Sequence, residues 1–256
     1  MQIKGFIDLS LVDWDGHVTS VIFLPYCNFR CPYCHNSELV LEAHSLPNTP
    51  LNEVLDYLEN WRGFLDGVVI TGGEPTLHKD LPKLCETIKE IGLSLKVDTN
   101  GSNPEMIKHL IDQNLVDYIA LDIKAPLSQQ KYTQATGVDA SGILTKIRQT
   151  LRLLIETQFP HEIRTTVVPT LHTPKDIAEI AKQIRGCQKY VIQNFKPQST
   201  LNPAYMKLKP FTSTQLQEFL NAAKKVIENV KIRPVSYTHL RAHETEADLV
   251  CRLLLE

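Results

Sequence analysis

The sequence predicts an α/β fold, an open six-unit (βα) partial barrel on a parallel sheet. Three observations carry that reading. Short β-rich apolar runs alternate with stretches of helical spacing, the pattern of repeated βα units. Each run is followed at once by residues that a packed core does not choose, the phase expected where a site forms at the carboxyl ends of parallel strands. The 233 residues before Pro234 fall short of the ~250 typical of a closed eight-unit barrel.

The runs lie at 18–24, 67–71, 94–98, 118–122, 162–168 and 190–195. Between them Leu51, Val54, Leu55 and Leu58 fall at helical spacing, as do Ile143, Ile147, Leu151, Leu154 and Ile155, and later Leu216, Phe219, Leu220, Ala223, Val226 and Ile227. Asn52, Pro104 and Pro174 suit helix starts, because proline is tolerated in a first turn. No repeat or composition break interrupts residues 1–233, so one domain is expected there. After the six runs come, in order, Cys27 to Cys34, Gly72-Gly73-Glu74-Pro75, Thr99-Asn100-Gly101, Asp122 with Lys124, Pro169-Thr170, and Lys196-Pro197. They are expected to converge in one mouth.

Composition limits the function. Of 256 residues, 27 are basic and 29 acidic, a net charge of -2, which provides no field to hold nucleic acid or a membrane surface. No apolar run approaches the ~18–20 residues of a membrane span, and the start MQIKGFIDLS has no apolar signal core. A cytoplasmic location is expected. From Pro234 the chain reads PVSYTHLRAHETEADLVCRLLLE, which resembles the conceptual translation of a transposase-type sequencing adapter. Residues 234–256 are therefore expected to be a non-native tail, with the natural C-terminus missing; a genuine amphipathic helix through Ala247, Leu249, Val250, Leu253 and Leu254 is the alternative. Setting the tail aside leaves 25 side chains of each sign and removes Cys251, His239 and His243 as ligand candidates.

Three of the six cysteines crowd into Cys27-x-x-x-Cys31-x-x-Cys34. Three soft thiolates on one loop suit zinc or an iron–sulfur cluster. Structural zinc wants four protein ligands, and His35 is badly placed while Cys85 and Cys187 stand isolated on helical stretches. A cubane held by three cysteines leaves one iron open, which catalysis needs. Gly72 and Gly73, without Cβ atoms, would let a ligand lie against the main chain, although paired glycines before proline also make an ordinary turn. Buried parallel strands tend to be continuously apolar, so Arg164 in the fifth run points either inward at a ligand or out at the rim. Trp14, in the hairpin-like stretch Asp13-Trp14-Asp15-Gly16, is read as a packing residue that could instead meet a partner.

CNFRCPYC, with Tyr33 just before the last cysteine, resembles the signature of the radical S-adenosylmethionine (SAM) superfamily. The resemblance implies a [4Fe-4S] cluster on Cys27, Cys31 and Cys34. Its open iron chelates SAM, which is cleaved reductively to a 5′-deoxyadenosyl radical. TGGEPTL resembles the superfamily's GGEP motif, placing Gly72, Gly73 and Glu74 near the SAM amino group. DTNG and DIK resemble the segments of glycyl-radical activating enzymes that lie near the SAM carboxylate. They implicate Asp98, Thr99, Asn100, Asp122 and Lys124, with a monovalent cation, and Arg164 near the ribose and adenine. Over nearly all of 1–233 the order KGF…SLVDWDG, CNFRCPYCHN, TGGEPTL, VDTNGSNP, LDIKAP, RTTVVP and QNFKP resembles activating proteins of anaerobic ribonucleoside-triphosphate reductase. Asp15 departs from the proline of that group's DYPG, which touches only the N-terminal turn. The implied partners are the large subunit of the reductase, through its glycine loop, and reduced flavodoxin or ferredoxin as electron donor. Activation of pyruvate formate-lyase is the nearest competitor, and a zinc-binding interaction module the competitor of another class.

Overall fold

The computed structural model describes residues 1–233, so the reading of 234–256 as a tail lies outside the described residues. Eight strands form one sheet in chain order: β1 (Gly5–Ser10), β2 (Thr19–Leu24), β3 (Gly67–Gly72), β4 (Ser94–Thr99), β5 (Tyr118–Asp122), β6 (His161–Val167), β7 (Tyr190–Asn194) and β8 (Val230–Arg233). β1 is antiparallel to β2, and β2 to β8 run parallel. The sheet order begins at β1 and ends at β8 without pairing them, so the barrel stays open. β2 to β7 are the six expected strands, with ends shifted by one residue at most. The unexpected two are the edges. β1 is half exposed and irregular between Ile7 and Ser10, and β8 has four residues, so neither carries a long apolar run.

The helices are α1 (Ser37–Leu41), α2 (Leu51–Trp61), α3 (Leu81–Ile91), α4 (Pro104–Asp112), α5 (Gln129–Thr136), α6 (Ile143–Thr157), α7 (Pro174–Gln183) and α8 (Ser213–Lys224). Pro104 and Pro174 do open helices, and the side chains of Asn103 and Thr173 cap them by accepting the N–H groups of Met106 and Asp176. α2 begins at Leu51, one residue before Asn52, and α8 stops before Val226 and Ile227. Cys85 lies in α3 as expected, whereas Cys187 falls in the loop between α7 and β7.

Helices cover the outer face of the sheet. There Val68, Ile70, Leu95, Val97, Ile119, Leu121 and Ile163 pack with Leu84, Ile88, Ile147, Leu151 and Leu154 in the main core. The inner face divides. Val21, Phe23 and Val69 of β2 and β3 join Trp14 in a small apolar cluster, while β4 to β6 turn Lys96, Asp98, Glu162 and Arg164 inward, all linked by ion pairs. Trp14 is buried, stacked on His17 with ring centroids 4.4 Å apart and tilted against Tyr118 at 5.6 Å. It therefore presents no free surface to a partner. Asp15 beside it meets Lys189 at 2.6 Å and Arg233 at 3.1 Å, tying the β1–β2 turn to the far edge of the open sheet. Glu162 takes Lys189 and Arg233 as well. Burial opposes its charge, but Lys96, Arg164, Arg233 and Lys189 outweigh that and bring its carboxyl down to about 2.

Candidate active site

A cavity of about 200 Å³ opens at the carboxyl ends of β2 to β6, and all thirteen residues nominated from the sequence line it. Segments from Cys27 to Arg164, far apart in the chain, meet there because consecutive parallel strands all deliver their following loops to one end.

The cysteine loop leaves β2 through Pro25 and Tyr26, and Tyr26 has φ +63°, strained for a non-glycine residue. Three neighbouring segments hold the loop. Gly73 N donates to Leu24 O and Glu74 N to Tyr26 O; Arg30 N donates to Thr136 O at the end of α5; Leu201 N and Asn202 N donate to Cys34 O and Pro32 O; and Asn36 Nδ2 donates to Gly72 O. The anchors at Thr136 and 201–202 carry no chemical motif. Sequence reasoning passed over them because main-chain contacts leave no residue signature.

Cys27, Cys31 and Cys34 all face the cavity as free thiols. Burial pushes the thiols of Cys27 and Cys31 up to about 11 and about 12, and raises Cys34 too. They are protonated at neutral pH, so metal ligation must displace protons. Among the described residues no three Cys, His, Asp or Glu side chains converge on one ion position. Each thiol of a cubane holds its own iron and needs no such convergence.

The glycines have a structural part that the motif did not disclose. A Cβ on Gly73 would lie 1.9 Å from Tyr26 O, and one on Gly72, at φ +114°, 2.4 Å from Leu24 O. The backbone of the cysteine loop thus requires both glycines, which also line the cavity. Glu74 is also recessed, at 1% exposure. Its Oε1 accepts from Thr76 N, Thr76 Oγ1 and Thr99 Oγ1, and its Oε2 from Asn100 N. Burial raises its carboxyl, moderated by these four donors. Glu74 thus clamps the loop after β3 to the loop after β4.

Arg164 points inward, spanning three strands. Nη1 donates to Asp98 Oδ2 at 2.9 Å and Nε to Asp122 Oδ1 at 2.7 Å. Lys124 Nζ holds Asp122 Oδ2 at 2.9 Å. Burial opposes charge on Asp122, but Arg164 and Lys124 outweigh it and keep this carboxyl well below the usual range. Lys124 is itself braced by residues the motifs did not mark. Its N–H donates to Tyr132 Oη, and its carbonyl lies 2.9 Å from Nε2 of the buried His172, whose Nδ1 accepts Val168 N–H. That acceptor role leaves the ring proton on Nε2, donated to Lys124 O. Among the described residues two buried polar atoms, Tyr33 Oη and Asp98 Oδ1, have no hydrogen-bond partner, although the Lys96 ammonium lies 3.5 Å from Asp98 Oδ1. Both residues line the cavity, and orphaned polar atoms at a cavity wall fit a polar ligand.

A model of the radical SAM superfamily matches residues 21–186, and the chain belongs to that superfamily. The structure of Streptococcus suis SuiB in its SAM-bound form shares the fold, with a TM-score of 0.63 and 16% identity over 85% of this chain and 52% of that longer one. A protein of Methanocaldococcus jannaschii named as a glycyl-radical enzyme activating enzyme is 37% identical over 92% of this chain and 97% of its own length. The pyruvate formate-lyase-activating enzyme of Clostridium pasteurianum is 28% identical over 73% of this chain and 79% of its own. Within the superfamily, the chain belongs to the glycyl-radical enzyme activating enzymes. It is an enzyme of the [4Fe-4S] and SAM type, which sets the zinc-binding module aside. No helix among the described residues is long and apolar enough to cross a membrane.

Proposed function

We propose that the protein activates an anaerobic ribonucleoside-triphosphate reductase by removing a hydrogen atom from a glycine Cα of its large subunit. The observation that carries this reading is the order of motifs from SLVDWDG to QNFKP, whose cysteine, GGEP, DTNG and DIK members line one cavity of an unclosed barrel. An open edge leaves room for a backbone loop to enter. Cys27, Cys31 and Cys34 would hold the cluster, and the donor set fits, being three soft thiols on one wall. The bound cluster and SAM supply the hydrogen-abstracting radical, with reduced flavodoxin or ferredoxin as electron source. Lys124 offers its ammonium to the SAM carboxylate, while Tyr33 Oη offers a donor and Asp98 Oδ1 an acceptor, neither of them hydrogen-bonded among the described residues. Glu74 and Arg164 act through Thr99, Asn100, Asp98 and Asp122, whose positions they hold. Of the four oxygens of the aspartate pair, three accept from Arg164 and Lys124, and Asp98 Oδ1, which accepts no hydrogen bond and has Lys96 Nζ at 3.5 Å, is the one a monovalent cation would share.

Incubation with the reductase under anaerobic reduction should give a partner-centred doublet in electron paramagnetic resonance, lost when the partner's glycine becomes alanine. The Clostridium relative supports a second reading, activation of pyruvate formate-lyase. A doublet on that enzyme and none on the reductase would select it.

A further inference from the structure

The thiol of Cys27 sits against a closed ring of hydrogen bonds formed by Asn28, Asn100 and Ser102. Ser102 N donates to Asn100 Oδ1 at 2.9 Å, Asn100 Nδ2 to Asn28 Oδ1 at 2.9 Å, and Asn28 Nδ2 to Ser102 Oγ at 2.9 Å. The ring fixes which way each amide points. Because Asn100 Oδ1 must face the Ser102 N–H, its NH2 must face Asn28 and Cys27. Its second proton is directed at Cys27 Sγ, 3.9 Å away, and Phe29 N donates to the same sulfur at 3.4 Å. Asn28 Oδ1, 4.0 Å from the sulfur, is an acceptor for the thiol proton only. Once the sulfur is a thiolate, the hydrogen-bond donors that face it are the Phe29 N–H and the Asn100 amide, with the Lys124 ammonium adding favourable charge from the same cavity.

We propose that Asn100 tunes the cluster by donating a hydrogen bond to the Cys27 thiolate, and that Asn28 and Ser102 hold its amide in the donating orientation. This rests on the reading of Cys27 as a cluster ligand. Donors to a ligating sulfur stabilise the more negative, reduced cluster and so raise its potential. Asn100 also anchors the loop after β4 to Glu74 through its backbone. The residue next to Thr99 therefore links the SAM side of the cavity to the cluster side.

The test is a dye-mediated redox titration of the anaerobically reconstituted full chain without SAM, beside iron and sulfide content. Asn100→Leu, close in size but without a donor, should load iron as the wild type does and show a lower midpoint potential. Asn100→Asp, which turns an acceptor toward the sulfur, should lower it further. Asn28→Ala, which keeps the amide but frees its orientation, should fall between wild type and Asn100→Leu. Full iron with an unchanged potential in Asn100→Leu overturns the proposal. Loss of iron from both Asn100→Leu and Asn28→Ala would make the ring a folding element of the loop, and overturns it too. Failure of the cluster reading itself would appear separately, as iron retained at wild-type level in Cys27→Ala.

Discussion

The two faces of β4 to β6 obey opposite rules. Outward, Leu95, Val97, Ile119, Leu121 and Ile163 are buried among helices. Inward, one residue along, Lys96, Asp98, Asp122, Glu162 and Arg164 form a ladder of ion pairs. The outer face is held by area removed from water, which tolerates imprecision. The inner face is held by matched charges, each of which becomes a liability if its partner is lost. Stability thus resides mainly outside and specificity inside, and substitutions can separate the two.

The largest separation should come from one residue type placed in both regions. Cys31→Ala, at the mouth, should abolish reductive SAM cleavage and lower bound iron while the fold persists, as should Cys27→Ala and Cys34→Ala. Cys85→Ala, in the outer core, should keep iron and activity and cost about 1 kcal/mol of stability. Full activity in Cys31→Ala would end the cluster assignment.

Gly73→Ala comes next. Its Cβ would meet the Tyr26 carbonyl at 1.9 Å, and because that neighbour is backbone, a loss of about 3 kcal/mol or more is expected, with poor iron loading. Gly63→Ala, which has nothing within 4 Å, should stay within about 0.5 kcal/mol of wild type. Chemical denaturation of both measures the contrast; equal midpoints would refute the backbone requirement at Gly73.

Arg164→Met should cost about 3–5 kcal/mol, because Asp98 and Asp122 lose the cation between them. Its outer-face neighbour, Ile163→Ala, should cost about 2–5 kcal/mol. Only the pH dependence tells them apart. In the wild type Asp122 is held below the usual range, so its contribution is complete above the unfolded value near ~4 and is lost as pH falls through the folded value. In Arg164→Met, Asp122 keeps its burial and Lys124 but loses the guanidinium, which moves its carboxyl up, so the deficit of that variant should shrink as pH falls from 8 to 5, whereas the deficit of Ile163→Ala should stay flat. Melting temperatures across that range decide; parallel curves would refute the charge-based account. Truncation after Arg233 should have the smallest effect, since the ion pairs of Arg233 to Asp15 and Glu162 are retained. A loss of soluble protein or of cluster would make 234–256 part of the domain.

The legibility of the molecule follows the same division. The six central strands could be read because short β-rich runs, each with apolar residues on at least one face, alternate with helical stretches, and α2, α6 and α8 because their apolar residues recur at helical spacing. β1 and β8 could not, since edge strands are half exposed and short. At the mouth, the positions of the polar motifs were readable from their phase after the strands, but the individual roles were not. Gly72 and Gly73 turned out to answer the backbone of residues 24–26, Glu74 to clamp Thr99 and Asn100, and Arg164 to bind aspartates.

By itself the sequence determined the class of chemistry and its address. Thiol spacing within one loop, and the recurrence of polar residues after each apolar run, are local patterns that survive without knowledge of the fold. Tertiary structure alone decided which groups are already committed to one another. A carboxylate, guanidinium or amide has the same sequence signature whether it faces a ligand or a partner across three strands. Only the register of β4, β5 and β6 sets Arg164 between Asp98 and Asp122, and only the packing of the loops closes the Asn28, Asn100 and Ser102 ring beside Cys27.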